Sequence, residues 1–165
     1  MYLAKQRRLD QKYAIINDLT KAGGETIAAG DDVLTLFFWK GSRKLRAEQE
    51  AEKRKYWQQS SRAWRISSGS LAAKINANFN SQEVKNALTQ LTLNRKYAGN
   101  QITNLLEDLD KFKDKVLTEA RIQENANAAL TLFNDLWPQL GQLTEAMVRE
   151  IRDEGNPNPV SSWPW

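Results

Sequence analysis

The stretch that decides the fold covers residues 102–147 and reads ITNLLEDLDKFKDKVLTEARIQENANAALTLFNDLWPQLGQLTEAM. With Ile102 as position a of a heptad, every a position from Ile102 to Trp137 and every d position from Leu105 to Met147 is apolar except Glu119 and Gln123. The apolar positions are Ile102, Leu105, Leu109, Phe112, Val116, Ala126, Leu130, Phe133, Trp137, Leu140 and Met147. Apolar residues at this spacing favour helices that pack along one seam. The sequence therefore predicts an all-α fold of long amphipathic, coiled-coil-like helices.

Two features interrupt this seam. The polar positions Glu119 and Gln123 lie close together, which indicates a hairpin turning back there or a small-residue patch that admits another element. Pro138 has no amide hydrogen for a helix interior, so it predicts a kink or a new helix start, with the last helix ending near Asp153. Residues 71–154 are thus expected to form a helical hairpin or one long coiled-coil-like region.

The first 66 residues are predicted to be a shorter, basic helical region. Apolar residues at helical spacing predict a first helix over residues 3–20, which Gly23 and Gly24 should end. Asp31 and Asp32 predict the start of a second helix, because acidic residues suit a helix N-terminus better than the basic residues after Ser42 do. The run Ser67-Ser68-Gly69-Ser70 predicts a linker over residues 67–70.

Charge separates the two halves of the chain. Residues 1–75 contain 15 Lys and Arg against 8 Asp and Glu, a balance of +7, whereas the remainder has a balance of −3. This asymmetry suggests that the first half meets an anionic partner or the acidic half of a neighbouring copy. The expected anionic-partner patch consists of Arg43, Lys44, Arg46, Lys53, Arg54, Lys55, Arg62 and Arg65.

Tryptophans mark the expected contact sites. Trp57 and Trp64 are seven residues apart and share a helical face, where they serve either a partner or the core of the fold. Residues 155–165 are expected to form an extended Pro- and Trp-containing tail, in which Trp163, Pro164 and Trp165 are predicted to bind a partner.

The composition excludes much catalytic chemistry. The chain contains no Cys and no His, which excludes disulfides, thiolate nucleophiles, Cys/His metal sites and a Ser-His-Asp triad. Glu107, Asp110 and Asp114 share a helical face, but interleaved lysines indicate a solvated surface rather than a cation site. We therefore expect no enzyme, no cofactor, no metal and no small-molecule substrate.

Three functions are compatible with this sequence. The first is a structural assembly protein, specifically a virion or tail component of a tailed bacteriophage, acting on protein partners or on copies of itself. The second is a membrane-active protein that contacts lipid through Leu34, Phe37, Phe38 and Trp39. The third is a nucleic-acid-binding module that uses residues 40–65. The basic N-terminus lacks the apolar run of a signal peptide, so we expect soluble synthesis in the cytoplasm, with incorporation into a virion under the first hypothesis.

Overall fold

The computed structural model describes residues 1–38 and 43–155. They form four long helices packed antiparallel, and no strand occurs among these residues. The helices are α1 (Tyr2–Thr35), α2 (Arg43–Asn78), α3 (Gln82–Lys113) and α4 (Glu119–Gly155). The all-α prediction is confirmed. The predicted tail at residues 155–165 lies outside the described residues from position 156 onward.

Helices α3 and α4 form a hairpin, which is one of the two arrangements that the sequence left open for this region. The hydroxyl of Ser81 caps α3 by accepting a hydrogen bond from the Val84 amide at 3.3 Å. At the other end Lys115 takes a left-handed backbone conformation with φ 62°, and the amide of Val116 donates to the carbonyl of Lys111 at 2.8 Å. The chain reverses over residues 114–118, slightly before the polar break in the heptads, so the single uninterrupted helix does not form.

The heptad seam changes phase across this turn. The a and d residues of α3 are buried as far as Leu109, whereas Phe112 is exposed. The d residues Ala126, Phe133, Leu140 and Met147 of α4 are buried as well. Of the a residues in the middle of α4, Leu130 is only half-buried and Trp137 is exposed, whereas Ala129 and Leu136, each three residues after a d position, are buried. A five-residue turn resets the rotation of the second helix, so one heptad frame cannot describe both.

Pro138 neither ends nor begins a helix, and the predicted new start at this position is wrong. It lies inside α4 on the exposed side. The carbonyl that loses its amide partner belongs to exposed Asn134, where water can satisfy it.

The predicted stop at Gly23 and Gly24 is also wrong, because α1 continues to Thr35. Both glycines face α4: a Cβ on Gly23 would lie 3.1 Å from Leu140, and one on Gly24 would lie 3.8 Å from Trp137. Small residues at these positions let the two helices approach closely, and the resulting packing offsets the low helix propensity of glycine.

The second helix does not begin at Asp31. Asp31 and Asp32 lie in the last turn of α1, and α2 begins at Arg43 with no acid in its first turn. A negative charge is unfavourable beside the C-terminal end of a helix dipole, and side chains of other helices compensate the two aspartates. Trp137 Nε1 donates to Asp31 at 2.8 Å, and Lys53 Nζ lies 3.5 Å from Asp32. The interaction of a charge with the dipole of a single helix end is thus weaker than these tertiary contacts.

The predicted linker at residues 67–70 is helical as well, because α2 runs through it without interruption. Serine and glycine lower helix propensity by at most about 1 kcal/mol each. The free energy gained when the neighbouring helical turns pack against the bundle is larger than this penalty.

A buried lysine joins one end of the bundle. Lys12 is fully buried, with Nζ 2.5 Å from Glu154, 3.6 Å from Glu150 and 5.0 Å from the centre of the Phe79 ring. Glu150 also accepts hydrogen bonds from the amides of Asn80 and Ser81. This cluster ties α1 and α4 to the turn between α2 and α3.

We expect Gly30→Ala to lower the free energy of unfolding by about 2 kcal/mol, because the new methyl group would collide with the ring of Phe133. Gly69→Ala is the matched control: nothing lies within 4 Å of its Cβ position, so better helix propensity should raise stability by about 0.5 kcal/mol. Urea unfolding followed by circular dichroism measures both. Equal effects of the same sign would contradict the close packing of α1 on α4.

We expect Lys12→Met to destabilise the chain by about 2 kcal/mol, since it leaves two carboxylates beside an apolar side chain. Lys5→Met makes the same change on an exposed part of α1 and should cost less than about 0.5 kcal/mol. Thermal unfolding of the two variants tests this, and similar melting temperatures would show that the buried cluster is not needed.

Candidate functional site: a groove between α2 and α3

One side of the bundle is open. Helix α1 packs against α2 and α4, and α3 packs against α4, but α2 and α3 meet at few points. The groove between them encloses about 760 Å³. Its walls are formed by Ser61, Trp64, Arg65, Ser68, Ala72 and Asn76 of α2 and by Leu88, Thr89, Thr92, Leu93, Arg95, Lys96, Gly99, Asn100 and Thr103 of α3.

Small serines on α2 explain the opening. The inward stripe of α2 contains Trp57, Trp64 and Leu71 at heptad spacing, and Ser61 and Ser68 lie between them on the same stripe. A serine side chain is too short to fill the space that a leucine would occupy between two helices. The serine run that resembles a linker in the sequence is therefore part of the groove wall.

The floor of the groove is a buried arginine. Arg95 is 4% exposed, and its Nε and Nη2 donate to the Thr26 hydroxyl at 2.9 and 2.6 Å. Nη2 also lies 3.5 Å from the Ser61 hydroxyl, and the guanidinium stacks 4.9 Å from the centre of the Trp57 ring. Burial lowers the pKa of Arg95 to about 10, so the side chain remains cationic at neutral pH.

The groove is positively charged. Arg95 forms an ion pair with no carboxylate within the described ranges, although Lys12, which is as deeply buried, has two. Arg65 and Lys96 are exposed at the rim. The wall residues include no Asp and no Glu. The arrangement favours an anionic ligand.

The chain matches no family model, no curated protein and no solved structure. The function is therefore inferred from the residues of the groove.

The tryptophans predicted to bind a partner lie in different environments. Trp57 is 3% exposed and meets Phe133 edge to face, with ring centres 6.2 Å apart, so it anchors the core. The predicted role of Trp57 in partner binding does not fit this conformation, because a partner cannot reach the buried ring. Trp64 is half-buried in the groove wall. The predicted tail residues Trp163, Pro164 and Trp165 lie outside the described residues.

The predicted basic patch is not one surface. Lys53 donates to Thr35 at 2.9 Å, and Arg54 binds Glu50 at 2.9 Å and Asp110 at 2.8 Å, so both hold helices together. Arg46 is half-buried, whereas Lys55, Arg62 and Arg65 are exposed, and Arg65 alone of these reaches the groove. Arg43 and Lys44 begin α2, but their side chains lie outside the described part.

The residues proposed to contact a membrane also differ in their exposure. Leu34 and Phe37 are buried in the bundle core, and Phe38 is partly exposed. Trp39 is among the residues that the structure does not describe. None of the described helices has an apolar stretch long enough to cross a bilayer. Lipid contact through Leu34 and Phe37 would require the bundle to open.

Carboxylates on α3 are used in helix contacts. Asp110 binds Arg54, and Asp108 accepts from the Asn125 amide at 2.9 Å. Within residues 1–38 and 43–155, no three carboxylates are grouped as a metal ion would require.

The sequence contained a signal for Arg95 that our prediction did not use. When the heptad frame of Ile102 is extended upstream, Arg95 falls at position a, between Leu88 and Ile102. A cation at a seam position is costly unless it has a partner. Its neutral partners Thr26 and Trp57 are distant in sequence, so only the structure could identify them.

Acid should weaken the α2–α3 contact at Glu50. Burial alone would raise the pKa of the Glu50 carboxyl, but hydrogen bonds from Lys113 at 2.7 Å and Arg54 at 2.9 Å outweigh burial and lower this pKa below its ordinary 4.5. The resulting stability is complete above pH 4.5 and is lost as the pH falls through the folded-state pKa.

We therefore expect Glu50→Gln to reduce the free energy of unfolding by about 1 kcal/mol at neutral pH, with the deficit shrinking below pH 4.5. Exposed Glu48→Gln is the control and should show a smaller deficit. Urea titrations between pH 3 and 7 measure both curves, and a deficit independent of pH would contradict the assigned pairing.

Proposed function

We propose that this chain is a non-enzymatic binding protein that acts as a helical component of a larger assembly. The observation that carries the proposal is the open side of the bundle, where α2 and α3 border a cationic and partly apolar groove. Four-helix proteins bury their inner faces against neighbouring helices, so an unfilled side favours a segment supplied by another chain.

Apolar residues beside the groove support a protein partner. Leu93 lines the groove and is 49% exposed, and Tyr97, one turn later on the same face of α3, is 58% exposed. Trp64 faces them from the other wall. Aromatic and apolar side chains of this kind are frequent anchors of interfaces, and the basic rim would steer an acidic partner.

The assembly that we propose is a virion or tail of a tailed bacteriophage, with the partner a structural protein of that particle or a copy of this chain. The separation of charge between the halves supports contacts of this type, because residues 1–75 have a balance of +7 and the remainder a balance of −3. A single-stranded nucleic acid is the second candidate. It is favoured by Trp64 lying beside Arg65 in the groove, an aromatic and a cation that suit a base and its phosphate.

The test is a photo-crosslinking amino acid placed at Leu93 in the full chain, produced in cells that naturally carry the gene. We expect one discrete protein adduct, found in particles that sediment faster than the free chain, and its identity should be a particle protein or this chain. The same amino acid at Val148, exposed on α4, is the control and should give no such adduct. A free monomer without adduct contradicts the proposal, and a nuclease-sensitive adduct supports the second candidate.

A further inference from the structure

We infer that the floor of the α2–α3 groove is an anion subsite, in which Arg95 receives a carboxylate from an acidic segment of the partner protein. This inference rests on the proposed binding function and names the chemistry of the partner.

The guanidinium of Arg95 is only partly satisfied. Nε and Nη2 donate to the Thr26 hydroxyl, and Nη2 approaches Ser61, but Nη1 donates to none of the described residues. Nη1 lies against Gly99, where a Cβ would collide with it. Gly99 itself lines the groove, so Nη1 lies at the groove floor, where a ligand can reach it.

The energetics of burial favour an external counter-charge. An arginine that is 4% exposed loses most of its hydration, and hydroxyls and an aromatic ring compensate only part of that loss. At Lys12 the chain compensates a buried cation with Glu150 and Glu154. At Arg95 the described residues supply no carboxylate, which leaves Nη1 to donate a charge-assisted hydrogen bond to a ligand.

The shape of the site favours a protein carboxylate over a nucleic acid. Arg95 is recessed, so a flexible Glu or Asp side chain reaches it more easily than a phosphate held in a polynucleotide backbone. The walls include apolar Ala72, Leu88 and Leu93, which suit the aliphatic side chains of a protein segment. From Ser61 to Asn76 the groove follows α2 for about 22 Å, enough for roughly four turns of a partner helix.

The probe is a synthetic amphipathic peptide of about 18 residues with Glu on one face and Leu on the other, and a second peptide carries Gln at each Glu. Fluorescence anisotropy of the labelled peptides measures affinity for the full chain in about 50 mM salt. We expect the Glu peptide to bind at least about tenfold more tightly than the Gln peptide. Arg65→Glu and Lys96→Glu should each weaken its binding about tenfold.

Arg62→Glu is the matched control. It makes the same charge change on α2, three residues before Arg65, but Arg62 does not line the groove, so binding should change less than about twofold. Equal losses for Arg62→Glu and Arg65→Glu would mean unspecific charge attraction and would overturn the inference. Tighter binding of a 20-nucleotide thymidine oligomer than of the Glu peptide would overturn it as well.

The side-chain nitrogen signals of Arg95, followed by NMR in the intact chain, give a readout that does not depend on an Arg95 variant folding. The Glu peptide should shift them and the Gln peptide should not. If both peptides bind equally and leave these signals unmoved, the anion subsite is wrong while protein docking at the groove stands. Absence of binding by every probe overturns the inference, and the crosslinking at Leu93 then decides the binding function separately.

Discussion

One layer of side chains at the middle of the bundle contacts all four helices, and the rest of the structure depends on it. Gly30 of α1 leaves room for the Phe133 ring of α4, which meets the edge of Trp57 on α2. Arg95 of α3 then stacks on Trp57 and donates to Thr26, back on α1. Because the layer closes on itself, a change in any member alters the position of the others.

This layer also explains why one side of the bundle is open. The aromatic pair fills the centre of the molecule, and the polar guanidinium caps that centre where α2 and α3 would otherwise meet. Above it the serines of α2 and Gly99 of α3 provide little volume. The opening therefore has two causes, the small volume of these wall residues and the polar group beneath them. Arg95 thus belongs both to the core of the bundle and to the wall of the groove.

Charge is used in two ways in this protein. Lys12, Lys53 and Arg54 form pairs with carboxylates of other helices and hold the bundle together. Arg65 and Lys96 face the groove, and Arg95 lies beneath them without a carboxylate in the described part of the chain. Some basic residues are therefore occupied by ion pairs within the bundle, and others are available to a partner. Net charge alone does not distinguish the two groups.

By itself the sequence determined the all-α class and the helical periodicity of α3 and α4, because helix periodicity is a local property of neighbouring residues. It left a hairpin and one long helix both open. Only the tertiary structure decided that α1 continues through Gly23 and Gly24, that residues 67–70 are helical, and that Arg95 meets Thr26 and Trp57. Local penalties of about 1 kcal/mol or less at glycines, serines and helix ends are overridden by packing between helices. That packing joins residues distant in the chain, which no local pattern records.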